Sequence, residues 1–131
     1  TVWSAIQSIG DRTRFLHPLK TLFDNQIVVA AGSDCPMEPL SALLGVQESI
    51  LRPNFPEQRL TLNEALRMYT SNAAYCAGEE SLKGSIEEGK LADLTILSID
   101  PEAVAPNTIN EIKIEYVIIN GQFLKTPLND F

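Results

Sequence analysis

Five apolar residues in succession, Ile27-Val28-Val29-Ala30-Ala31, run straight into Gly32-Ser33-Asp34-Cys35-Pro36, and this stretch constrains the fold more than any other. A strand with one wet face alternates apolar and polar side chains. An unbroken apolar run instead fits a strand buried on both faces, as in parallel sheets covered by helices. The expected class is therefore α/β. The Gly-Ser pair lets the backbone turn sharply out of the strand. Each parallel neighbour needs a crossover of about a dozen residues or more, and a closed eight-stranded β/α barrel takes about 250. With 131 residues, the chain has room for one ordinary domain or for a piece of something larger. It starts at Thr1 with no charged-then-apolar leader behind it, and a truncated start is the expectation.

The surroundings of that run read as helices. Val2, Ile6 and Ile9 recur at helical spacing up to Gly10-Asp11. Pro18 suits a helix first turn, with Leu19, Leu22 and Phe23 as its buried stripe and Asn25 as its stop. Pro39 opens a further helix carrying Leu40, Leu43, Leu44 and Leu51, bounded by Pro53. Thr61 and Glu64 form a T-x-x-E capping box, which starts a helix at Leu62 with Ala65, Leu66 and Tyr69 on its core face. Thr70-Ser71-Asn72 interrupts it, and Asn72 is expected to cap a short second helix ending at Gly78.

Beyond Gly78 the period changes to that of strands. Residues 94–99 form a strand stopped by Asp100-Pro101, and residues 111–119 are β-rich. Asn120-Gly121 then precedes residues 122–125, a strong hairpin signal because both central positions of a type I′ turn need positive φ. The expected organisation is a mostly helical unit over residues 1–78 and a small β unit with a hairpin and tail over residues 79–131.

Net charge is −7, which argues against nucleic acid or an anionic membrane as partner. No apolar run approaches the roughly 20 residues of a membrane span. Cys35 and Cys76 lack metal-knuckle spacing and read as buried free thiols of a reducing cytoplasm. With His17 as the single histidine, chemistry needing several imidazoles cannot be completed within this chain.

Asp34 is the first candidate for chemistry. It sits one step past the apolar run, and in α/β architectures ligands gather at the carboxyl ends of strands. A carboxylate there can bind a divalent metal and accept a proton from water; equally, an aspartate can cap its own turn. His17 reads as a surface or helix-capping residue. Arg12 and Arg14 read as solvated arginines that could also meet an acidic substrate. Cys35 is no nucleophile, because neighbouring Asp34 disfavours its thiolate. Ser33 lacks the nucleophile-elbow context.

Gly84-Ser85-Ile86-Glu87-Glu88-Gly89-Lys90-Leu91-Ala92-Asp93-Leu94 resembles the G-S-I-x-x-G-K-x-A-D-L signature near the end of the metal-dependent amidohydrolase superfamily. Val117-Ile118-Ile119-Asn120-Gly121-Gln122 is similar to the strand-turn-strand that closes the small β domain of the same superfamily. Pro18-Leu19-Lys20-Thr21-Leu22, the Ala31-Gly32-Ser33-Asp34 turn with Pro36-Met37-Glu38-Pro39, and Leu62-Asn63-Glu64-Ala65-Leu66 resemble the amidohydrolase-3 branch, which includes N-substituted formamide deformylase. The resemblance covers residues 12–124.

The resemblance implies the C-terminal part of a TIM-like β/α barrel plus part of a small β-sandwich domain. It also implies hydrolysis of non-peptide carbon–nitrogen bonds in a small amide, formamide or cyclic amide, supported by a divalent metal, zinc first. Matched residue by residue, Asp34 falls at the end of the last barrel strand, where the family's aspartate binds metal and handles the proton of the attacking water. The H-x-H pair, the bridging lysine and two further histidines of the family are absent here; His17 and Lys20 match none of them. The chain alone is therefore expected to hold no metal, to be inactive and to self-associate through its incomplete sheet. The alternative is a degenerate, non-catalytic amidohydrolase-like or interaction module.

Overall fold

The computed structural model describes residues 7–124. Residues 7–9 are helical and pass into a 3-10 segment, Gly10–Phe15; Val2 and Ile6 lie outside the described residues. Four short α-helices come next: α1 (Leu19–Asp24), α2 (Ala42–Leu51), α3 (Leu62–Tyr69) and α4 (Ser71–Cys76). The strands come last, β1 (Leu94–Leu97), β2 (Ile114–Ile119) and β3 (Gln122–Phe123), in one antiparallel sheet of order β1-β2-β3. The chain is thus mixed helix and sheet. Among the described residues no helix is long and apolar enough to cross a membrane.

The helix boundaries reflect local chemistry. α1 begins after Pro18 and stops at Asn25. In α2 the cap is Ser41, whose Oγ accepts the Leu44 N–H at 3.1 Å, so the helix starts later than Pro39 and leaves Leu40 exposed. The expected capping box on α3 is present: Thr61 Oγ1 accepts from Glu64 N–H, and the Glu64 carboxylate accepts from Thr61 N–H. Thr70, at φ −126° and ψ −100°, breaks the helix. Asn72 is not the cap of α4; it lies inside that helix, 5% exposed.

The central run is the main correction. Residues 27–34 form no strand. A parallel strand needs ladders on its flanks, and among the described residues the N–H groups of Val28, Val29 and Ala30 donate to nothing. Ile27 and Val28 are exposed rather than buried on both faces. The segment is held at two points by the break between α3 and α4. Cys35 and Cys76 are free, as expected, but exposed rather than buried. One lies in the loop after the run and the other in the last turn of α4.

The core is Val46 from α2, Leu60, Ala65 and Met68 at and in α3, and Ile109 and Ile112. The last two come from and just beyond the 3-10 segment Pro106–Glu111, which packs on α2. Leu19, Phe23, Val29 and Ala31 pack against this cluster from outside. From the sheet, Leu97 at the end of β1 also packs against it.

The sheet is shorter than the sequence suggests: β1 ends at Leu97, and β2 starts at Ile114 because residues 106–111 coil into the 3-10 segment. The register pairs Leu94 with Ile118 and Ile96 with Tyr116, with a bulge before Leu97. The hairpin forms as expected, with Asn120 at φ 50° and Gly121 at φ 75°. Lys125 lies outside the described residues.

Candidate functional site

The Asp34 turn is assembled by the break in the α3–α4 helix pair. Ala31 N–H donates to the Met68 carbonyl at 3.1 Å, and Asn72 Nδ2 donates to the Val29 carbonyl at 3.0 Å. Three residues further on the chain reverses. Gly32 has open space around it and an ordinary φ, so the glycine is not what the turn requires. Asp34 itself takes the left-handed conformation, φ 60°, which aspartate tolerates better than most residues. Its carbonyl accepts the N–H groups of Met37 at 2.9 Å and Glu38 at 3.4 Å. Ser33 Oγ accepts from Cys35 N–H at 3.3 Å.

The Asp34 side chain is exposed and, among the described residues, its carboxylate accepts no hydrogen bond and forms no ion pair. The turn is closed by main-chain groups and Ser33, which leaves both carboxylate oxygens open. Such a group fits a metal as one donor. Among the described residues no cluster of three or more His, Cys, Asp or Glu stands ready to hold a metal ion.

The other candidates lie apart from Asp34. His17 is exposed at the entry to α1, where its carbonyl accepts the Leu19 N–H at 2.7 Å. Arg12 and Arg14 are exposed on the 3-10 segment, with Arg14 4.8 Å above the Phe15 ring. Lys20 is engaged by Asp24 and Glu64, each at 2.9 Å.

The 84–94 signature holds structure together. Ser85 Oγ donates to Glu87 at 2.7 Å and accepts from the mostly buried Lys90 Nζ at 2.6 Å. The Ser85 hydrogen bond, reinforced by the Lys90 charge, keeps the Glu87 carboxyl below its usual value. Asp93 Oδ1 accepts the Asn120 N–H at 2.7 Å, and the Ala92 carbonyl accepts the Gly121 N–H at 3.1 Å. The A-D-L end of the signature thus ties the start of β1 to the hairpin turn.

A cleft of about 1200 Å³ opens between α2, the α3–α4 pair and β1. Its walls are mainly apolar, with Leu43, Leu66, Tyr69, Leu94 and Ile114 among them, and Asp34 does not line it. Lys83 on its rim is paired to Glu79 at 2.7 Å.

Sequence reasoning passed over Asn72 as a side-chain clamp, because asparagine after a helix interruption reads first as a cap. The usable signal was the coincidence of that interruption with a helix otherwise rich in core residues.

Comparison with known proteins bears on the whole chain. The amidohydrolase family profile matches residues 4–124. A Bacillus subtilis (strain 168) protein named as an amidohydrolase, YtcJ, is 37% identical over 123 residues, covering 87% of this chain and 23% of its own length. The N-substituted formamide deformylase of Arthrobacter pascens is 33% identical over 112 residues, covering 81% of this chain and 21% of its own. Among solved structures, atrazine chlorohydrolase TrzN from Arthrobacter aurescens TC1, complexed with zinc, superposes with a TM-score of 0.62 at 25% identity, over 87% of this chain and 29% of that one. The chain spans under a quarter of the length of these two curated relatives.

Proposed function

The chain belongs to the amidohydrolase family, and from that premise we propose that it is the C-terminal portion of a metal-dependent hydrolase of non-peptide carbon–nitrogen bonds. The substrate class is a small amide, formamide or cyclic amide. Residues 1–78 are the last βα units of its barrel and residues 79–131 part of its small β domain. The protein works in the cytoplasm. The observation that carries this reading is the position of Asp34: an exposed carboxylate, unpartnered among the described residues, just past an apolar segment, in a chain whose relatives include a formamide deformylase.

In this reading Asp34 is both a metal ligand and the proton carrier. The divalent metal, zinc as in the TrzN complex, polarises water and the scissile carbonyl when bound. Asp34 takes the proton lost by the attacking water and returns it to the leaving nitrogen as the C–N bond breaks, so no net proton is consumed at the aspartate. The remaining ligands come from outside the described residues. Without them the isolated chain is inactive, and its uncovered apolar segment drives self-association.

The test uses the complete gene product containing this chain, loaded with zinc and assayed against formamides, simple amides and cyclic amides. Turnover is expected, and Asp34→Asn lowers kcat by at least about 10²-fold, the low end of what a proton-transfer group contributes. Turnover that survives Asp34→Asn removes the aspartate from the mechanism. No turnover on any of the three classes favours the non-catalytic module.

A further inference from the structure

We infer that Asn72 is a positioning residue for Asp34, acting through the main chain of residues 29–31; this rests on the reading of Asp34 given above. The last carbonyls of a helix have no partners within it. The break at Thr70 therefore creates acceptors, and the Met68 carbonyl takes the Ala31 N–H at 3.1 Å. Two residues into α4, Asn72 turns its amide the opposite way and donates to the Val29 carbonyl at 3.0 Å. The two bonds hold residues 29 and 31, two positions apart on the segment.

This grip replaces part of a missing ladder. Among the described residues these are the only hydrogen bonds to the main chain of residues 28–31. The helix-side partners are buried, Asn72 5% and Met68 2% exposed, and Val29 and Ala31 are half-buried against the core. An asparagine so deeply buried is costly unless its amide is used, and here it is used on the segment that delivers Asp34. From Ala31 to Asp34 is three residues, too short a tether for the turn to drift independently. A shift of the clamp by an ångström moves the carboxylate by a similar amount, a displacement that costs catalysis on the order of 10²-fold when it reaches a reacting group.

Asn72→Asp keeps the shape and removes the donor; Asn72→Ser removes the reach without adding charge, and serves if the aspartate variant does not fold. In the complete zinc-loaded protein, both are expected to lower kcat by on the order of ten- to a hundred-fold, with KM and zinc content little changed. In the isolated chain, amide hydrogen exchange at Ala31 should speed up in Asn72→Ser while Ala65, in the middle of α3, stays protected. Normal kcat per bound zinc with only a lowered Tm would overturn the inference and leave Asn72 a purely structural residue. Protection at Ala31 that is unchanged in Asn72→Ser would overturn it too. The two roles fail separately. If Asp34→Asn is inactive and Asn72→Ser is normal, the positioning role alone fails; if Asp34→Asn is active, the reading of Asp34 fails and this role goes with it.

Discussion

Lys20 Nζ lies 2.9 Å from Glu64 Oε1, while Oε2 of the same carboxylate accepts the Thr61 N–H at 2.8 Å. One side chain thus caps α3 and ties it to α1. Burial pushes the Glu64 carboxyl up, but the hydrogen bonds from Lys20 and Thr61 outweigh it, and the net shift is below the usual glutamate value of 4.5. A folded pKa below the unfolded one means the stabilisation is present above 4.5 and is lost as pH falls through the folded value. Glu64→Gln keeps an oxygen acceptor for the Thr61 N–H but loses the charge facing Lys20, so it should lower stability at neutral pH by less than about 1 kcal/mol. It should also flatten the loss of stability in acid. Urea unfolding of both proteins across the acid range checks this; parallel curves for the two would show the carboxylate contributes nothing.

The other end of that pair titrates in the opposite sense. Lys20 is raised above 10.5, first by its hydrogen bond to Glu64 and then by that to Asp24. Its contribution is present below 10.5 and lost as pH rises through the folded value. Because solvent screens the ammonium, Lys20→Met should cost little near neutrality, and the cost should vanish in strong alkali. A cost that persists there would trace to lost packing of the lysine stem.

Gly84 opens the signature for a steric reason. Its φ is 95°, and a Cβ built on it would lie 2.5 Å from Ala74 Cβ and 3.2 Å from Ser71 Cα. Gly84→Ala should therefore destabilise by about 3 kcal/mol, combining positive-φ strain with overpacking. Ala74→Gly in that background relieves the contact with Ala74 and leaves the backbone strain, so the two changes should couple in a double-mutant cycle. Simple additivity would show that α4 does not press on this loop.

How much of this was legible in the sequence differs by element. The Thr61/Glu64 box and the Asn120-Gly121 hairpin announce themselves because their bonds close within a few residues, and local sequence contains both partners. The 27–31 run misled for the opposite reason: its pattern specifies burial between sheet neighbours, and no strand among the described residues pairs with it. Asp34 was legible as the acidic residue of the turn after the apolar run, although that run forms no strand. Its left-handed φ was not, since Gly32 looked like the residue that would supply the turn. Asn72 stayed hidden because its partner, the Val29 carbonyl, is a main-chain atom 43 positions away.

Asp93 offers a test of the signature's structural role. Its carboxylate accepts the Asn120 N–H at 2.7 Å, next to the Ala92–Gly121 main-chain bond. Asp93→Ala removes one hydrogen bond at an exposed turn where water can substitute, so the cost should be about 1 kcal/mol. Amide exchange should accelerate at Asn120 and Gly121 and stay unchanged in α3. Acceleration spread evenly over sheet and helices would mean that Asp93 supports global stability instead of the hairpin alone.

The exposed end of the apolar run leads to the last expectation. Ile27 is 51% and Val28 41% exposed, beside main-chain N–H groups that donate to nothing among the described residues. Such an edge pairs readily with another chain, and a net charge of −7 opposes that pairing mainly at low salt, where screening is weak. Sedimentation velocity of the isolated chain should therefore show association that strengthens with added salt. Val28→Lys places a charge on the edge, a common natural block to such pairing, and should shift the population to monomer without lowering Tm. A wild-type chain that sediments as a monomer at every salt concentration would show that the segment is not sticky, and that the two bonds to Met68 and Asn72 suffice to keep it from pairing.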